Sequence, residues 1–350
     1  MFNINLFEIG KSNRLCAAAL LTGTLGLLAG FAATAAPGVA PPSAKIAIPG
    51  GTHGVDFDDL QYFPAIDRVA IPAAQTGDLD LINPKDNAVT VIADVAAKTA
   101  APGSDDRGAT SAAYGDGYIF TGDHGSAGIV IIAAHSRHFV GRAKLAANYD
   151  YIRFLPQRQE LWVTEPHAHR IEIFKFAHTT KPALKHEAFI DIPGGPEALQ
   201  VDAARDRAYT NLWSDHTLAI SLSKRRIVAR WPNGCRGSRG LALTGHWLFV
   251  GCKEGRAVTL DVSHNGKHVS AAATGAGVDI IAYNPHLHHL YVPGAKSETL
   301  TVLNVTAAGR LRPDAVYRAA KGSHCVTTDD HSKAYVCDPE HGQILVIDDR

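Results

Sequence analysis

Between Gly322 and Gln343 the chain places two cysteines, three histidines and four acidic residues in twenty-two positions. Thiolates and imidazoles at this density are the ligands that hold zinc, so His324, Cys325, Cys337 and His341 form one candidate metal site. The competing chemistry is a disulfide between Cys325 and Cys337, closing a hairpin about the turn Asp330-His331-Ser332 and leaving His324 at its mouth. A second set of reactive side chains is spread along the chain: Asp58, Thr110, Asp150, Glu197, Arg239, Asp279 and His324, at intervals of 52, 40, 47, 42, 40 and 45 residues. Carboxylates and an imidazole brought together at such positions could bind a cation or move protons. Which chemistry applies depends on the elements that carry these residues.

Those elements repeat. Each of the seven residues opens a short apolar strand that is followed by a turn, a second strand ending near Gly, Asp or Asn, and a third strand. The copies begin near Phe57, Ala109, Tyr149, Pro196, Ser238, Val278 and Ser323. Segments between them, such as "EAFIDIP" and "RIVARW", read as a fourth strand. A period in the forties with four strands per unit predicts an all-β, seven-bladed β-propeller with four-stranded blades. The seventh unit lacks a fourth strand, and "KIAIPGG" from Lys45 supplies one. Its Ile48-Pro49-Gly50-Gly51 repeats Ile192-Pro193-Gly194-Gly195, which ends the fourth strand of the third unit. The last blade is therefore expected to be completed by the N-terminal strand, leaving no open edge in the ring.

In a propeller the first strand of each blade is innermost, so the seven residues that open these strands should face one another around the channel mouth. In a chain with 19% charged residues, one or two of seven such positions would be charged by chance, and here five are. Convergent polar groups in a concave place mark a ligand site. The ligand-binding set is Asp58, Thr110, Asp150, Arg239 and Asp279, with His167 and His124 from loops on the same side. Asp123 and Glu165 rank behind them. Asp150, Glu197, Asp279 and His324 are the candidate metal ligands, for Ca²⁺ through oxygen alone or Zn²⁺ with the imidazole. Glu197 and His324 are the candidate catalytic bases, and Arg239 suits a ligand carboxylate. His286 to His289 fall in a turn on the far side and read as solvated surface. A nucleophile elbow, a phosphate loop and a Cys-x-x-Cys-His haem motif are all missing from the sequence.

The form "xxPxxxxLYV" followed by "TLxVLxV" is similar to the YVTN-repeat, YncE-like propellers, exported or cell-surface proteins of bacteria. Leu290-Tyr291-Val292, Ala334-Tyr335-Val336 and Ala208-Tyr209-Thr210-Asn211 carry the likeness, together with Thr299-Leu300-Thr301-Val302 and Gln343-Ile344-Leu345-Val346. The resemblance implies the propeller fold from about Lys45 to Asp348, and propellers of this kind serve as enzymes, binding proteins and scaffolds alike. A more distant resemblance, to the gluconolactonase type of propeller lactonase, implies a divalent cation at the channel mouth. That family's set of Asn-Gly and Asp-Gly motifs is not found here as a set, so none of its site residues is carried over.

Lys11 and Arg14, the Leu15–Ala33 apolar run and Ala33-Thr34-Ala35 make residues 1–35 a secretory signal peptide, followed by a linker over 36–44 and the propeller over 45–350. The remaining chain is expected in the periplasm or secreted, as a monomer and without a membrane span. Losing Glu8, Lys11 and Arg14 leaves it near −1, and losing Cys16 leaves four cysteines. An even count in an oxidising compartment favours disulfides Cys235–Cys252 and Cys325–Cys337 over a Cys/His zinc site. The zero formal charge and lack of a Lys/Arg run give no support for nucleic-acid binding. The reading is a binding protein for a small molecule, metal or protein partner at the funnel face. A metal-dependent, lactonase-like hydrolase or lyase using the same ring is the alternative.

Overall fold

The computed structural model describes residues 38–98 and 108–349. The segment read as a signal peptide lies outside them. The described residues form seven sheets; in five the strands follow one another outward in sequence order, and in the other two an N-terminal strand is outermost. The innermost strands are Gln61–Phe63, Ala112–Gly115, Ile152–Leu155, Glu197–Asp202, Ser238–Thr244, Ala282–Asn284 and Val326–Thr328. This is the seven-bladed propeller that the repeat predicts.

Burial explains why these sequences become these strands. The middle strands are covered on both sides by neighbouring blades, so Gly128–Ala133 and Lys333–Asp338 are buried almost throughout and read as unbroken apolar runs. Outer strands such as Ala183–Asp191 meet solvent on one face and alternate. Between blades one and two, Leu79 and Leu81 pack with Ile119, Val130 and Ile132. The tight turns between first and second strands need a left-handed residue. Asp67, Gln159, Asp206, His288 and Asp330 take it with φ of 51–61°, mostly residue types that tolerate this region.

The ring closes as expected. Ala44–Ala47 pairs antiparallel with the third strand of blade seven, in register Ala44↔Val346 to Ala47↔Gln343. The preceding stretch is more than a linker: Val39–Ala40 pairs parallel with Val316 and Tyr317, adding a fifth strand to blade six. Among the described residues no helix is long and apolar enough to cross a membrane.

Both cysteine pairs are bonded, with Cα separations of 5.2 Å for Cys235–Cys252 and 5.6 Å for Cys325–Cys337. Cys325 and Cys337 also face each other through a backbone hydrogen bond, Cys337 N to Cys325 O at 3.1 Å. With both thiols consumed, the cluster between Gly322 and Gln343 has no thiolate to offer a metal. Asp329 accepts from the backbone N–H groups of His331, Ser332 and Lys333, so it shapes the far turn.

Candidate functional site

The innermost segments touch across blade boundaries at the positions singled out by the repeat. Asp59 N donates to Thr110 O (3.0 Å), Gly240 N to Asp279 O (2.7 Å) and Ile280 N to His324 O (2.9 Å). These backbone contacts help to fix where the side chains emerge. Asp58, Asp150, Glu197, Arg239, Asp279 and His324, one from each of six blades, line a single cavity of about 560 Å³, and His124 and His167 line it too.

Thr110 is the exception. It is buried and does not line the cavity; its hydroxyl lies 3.0 Å from Nε2 of His124. The threonine therefore positions a histidine that reaches the cavity in its place. Asp123 and Glu165 also stay out of the cavity. Asp123 accepts from Gly125 N and Ser126 Oγ, and Glu165 from Ala147 N and from Arg170 Nε at 2.5 Å. On the far side His286 and His288 are exposed as expected, but His289 is not simply solvated. Its Nδ1–H donates to Asp349 at 2.7 Å, and Tyr291 OH shares the same carboxylate oxygen at 2.6 Å. Asp349 lies 60 positions from His289 in sequence.

The electrostatics of the mouth follow from crowding. Burial raises the Glu197 carboxyl well above the usual range, Asp279 adds to the rise by charge and by a side-chain hydrogen bond, and Arg239 opposes it. The Asp150 carboxyl is likewise raised, by burial first and then by Asp58, Glu197 and Asp279. A carboxylate cluster in low dielectric holds protons or attracts a cation, since each charge penalises the next.

His324 departs from the role its type suggests. Its Nδ1 lies 2.7 Å from the carbonyl of Gly322 and its Nε2 lies 2.9 Å from the carbonyl of Phe57. Carbonyls only accept, so both contacts are satisfied only when both nitrogens carry a proton. Burial works against that charge, but Asp279, Asp58 and the two carbonyls outweigh it and raise the imidazole's pKa. An imidazolium has no lone pair for a metal or a substrate proton. With both ring nitrogens on carbonyls, His324 links blade seven to blade one, and this geometry does not favour the metal-ligand and general-base roles that its residue type suggests. The oxygen set Asp58, Asp150, Glu197 and Asp279 remains, a donor set that suits a hard cation such as Ca²⁺ over Zn²⁺.

The cavity also has residues that the repeat did not flag. Tyr149 and Tyr151 flank Asp150, and Trp213 and Lys253 come from loops of blades four and five. Tyr149 stacks on His124 at 4.2 Å between ring centroids and fills space opposite Gly122, where any Cβ would overlap its ring. Trp213 is 47% exposed, with the Arg239 guanidinium 5.3 Å over its ring and His167 6.0 Å away. Aromatic residues flanking ring positions were the available signal in "YDY". Trp213 had none, because it lies outside the repeated strands.

Beneath the mouth a second cavity of about 360 Å³ runs along the innermost strands and shares Tyr151 with the first. At its wall Asp59 is fully buried and fully paired. It receives Arg153 Nη1 at 2.5 Å and Nη2 at 2.9 Å, Ser111 Oγ at 2.5 Å and Gln61 Nε2 at 2.7 Å.

Comparison with protein-family models finds no match, and no curated protein matches the sequence. Solved structures do resemble it. Hydrazine synthase from Kuenenia stuttgartiensis aligns at a TM-score of 0.67 and 12% identity, over 85% of this chain and 96% of that one. The β-propeller domain of Swd1 from Myceliophteria thermophila gives 0.68 and 10%, over 88% and 100%. The RRP9 WD40 repeats give 0.71 and 11%, over 89% and 99%. At such identities the likeness is one of architecture, and by it the chain is a seven-bladed β-propeller.

Proposed function

We propose that the chain is an exported binding protein that captures a positively charged group, an ammonium or a hard divalent cation, in the mouth of its channel. The observation that carries this reading is the convergence of Asp58, Asp150, Glu197 and Asp279 on one cavity, with Asp150 and Glu197 pushed toward protonation by burial and by the other acids. A cation relieves that repulsion directly. If the cation is Ca²⁺, these four carboxylates would hold it, and it would supply charge neutralisation and a Lewis acid. Export is supported by the leader-like pattern of residues 1–35 and by two disulfides in the propeller. The YVTN-like strand pattern fits the same compartment.

Titration calorimetry of the purified protein with calcium chloride, and separately with phenethylamine, tests this. Saturable binding of either, weakened at least tenfold in Glu197→Gln, is the expected result. No binding of either would overturn it.

A lactonase-like hydrolase is the second reading, favoured by one observation: burial and neighbouring acids raise the Asp150 and Glu197 carboxyls, the direction that suits a proton donor. Turnover on a lactone and ester panel, lost in Glu197→Gln, would establish it.

A further inference from the structure

The four acids are not alone in the mouth. Blade five contributes two cations to the same cavity, Arg239 and Lys253, next to the exposed ring of Trp213. Arg239 is largely enclosed, yet its guanidinium uses little of its hydrogen-bonding capacity. Nη1 donates to Ser238 O at 3.1 Å, and Nε stands 3.9 Å from Asp279 Oδ1, too far for a hydrogen bond. Among the described residues no other hydrogen bond is made by its five N–H donors. The Lys253 ammonium has no side-chain hydrogen bond or ion pair among the described residues, and its side chain is exposed. The third cation, His324, already has both N–H groups on carbonyls and has none to give a ligand.

Charge arrangement then selects the ligand. A simple cation entering the acid cluster meets Arg239 and Lys253. A simple anion reaching for those two meets Asp279 and Glu197. A molecule carrying both signs on neighbouring atoms satisfies both walls, because Arg239 stands beside Asp279 and Glu197 and not across the cavity from them. The geometry points to a zwitterionic α-amino acid as the ligand of the mouth cavity, with its ammonium on Glu197 and Asp279 and its carboxylate on Arg239 and Lys253. This rests on the cation-binding reading above and deepens it. Its side chain would lie toward Trp213, whose edge and face are bordered by His167 and Arg239. A guanidinium with unspent, pre-oriented donors is suited to a carboxylate.

The test is calorimetry or thermal shift with the common L-α-amino acids. Each one that binds is followed by its decarboxylated amine and its N-acetyl derivative. At least one amino acid should bind, with affinity at least tenfold above both derivatives. Arg239→Met should abolish the preference over the amine. Lys253→Met, at an exposed position, should weaken the amino acid several-fold and leave the amine unchanged. Equal binding of amino acid and amine, or no binding by any amino acid, overturns the proposal. In that case, retained Glu197-dependent binding of calcium or of phenethylamine leaves the cation reading standing. Loss of those as well removes both.

Discussion

Asp59 and Glu197 are both nearly inaccessible carboxylates along the same channel, and their surroundings are opposite. Asp59 lies at the floor with a bidentate arginine, a serine and a glutamine amide on its two oxygens. Glu197, in the mouth, has Asp279 as hydrogen-bond partner and other acids nearby, with Arg239 the counter-charge. An acid satisfied on every lone pair contributes to structure and has nothing left for a ligand. An acid crowded by its own kind is costly to the fold and is explained by what it binds. Asp80 is a third case: it is buried in blade one, and both its oxygens lack a hydrogen-bond partner among the described residues.

The largest expected effect breaks the floor. Asp59→Ala strands the Arg153 guanidinium, 18% exposed, without its partner, and should cost about 3–5 kcal/mol in denaturant unfolding. An effect below 1 kcal/mol would mean that the floor is as dispensable as the mouth.

Asp80 should give the next effect, through pH. Burial first, and Asp78 second, raise its pKa from 3.8 to about 7. The fold therefore prefers the protonated acid. Stability should be highest below the unfolded pKa and fall as pH climbs to the folded value, by up to about 4 kcal/mol, then level off. Asp80→Asn should flatten that part of the curve. Parallel melting curves for wild type and variant between pH 4 and pH 8 would remove Asp80 as the cause.

The smallest effect on stability sharpens the comparison from the mouth. Glu197→Gln removes one charge from a repelling cluster, so unfolding should be unchanged or harder by about 1 kcal/mol. Cation affinity should fall at least tenfold in the same protein. A loss of stability like that of Asp59→Ala would show Glu197 to be structural.

The architecture was legible because a propeller writes itself into sequence seven times. The spacing of Asp58 to His324 located the innermost strands, and the shared Ile-Pro-Gly-Gly pointed to the closing strand. Six of the seven ring residues reach one cavity for the same reason. Their roles were less legible, because role depends on groups far away in the chain. His324 looked like a ligand until the carbonyl of Phe57, 267 positions away, occupied its second nitrogen. Arg153 gave no sign that it would pair with Asp59 across 94 positions. Thr110 fits the ring by alignment, but a hydroxyl is short, and it stops at His124. Backbone acceptors have no side-chain signature in a sequence, so the most consequential partner of His324 was the least visible.

The strand Ala44–Ala47 has a consequence for when this protein can exist. Its partners, Gln343 to Val346, are among the last of the described residues, and the Ser43 side chain reaches Val346 over a separation of 303. A chain made from its N-terminus presents this strand well before its partner and must leave it unpaired until the seventh blade has emerged. Contacts of such separation form late and slowly. The closing strand is short and carries Lys45, the kind of charged, brief edge that resists pairing with the wrong neighbour during the wait.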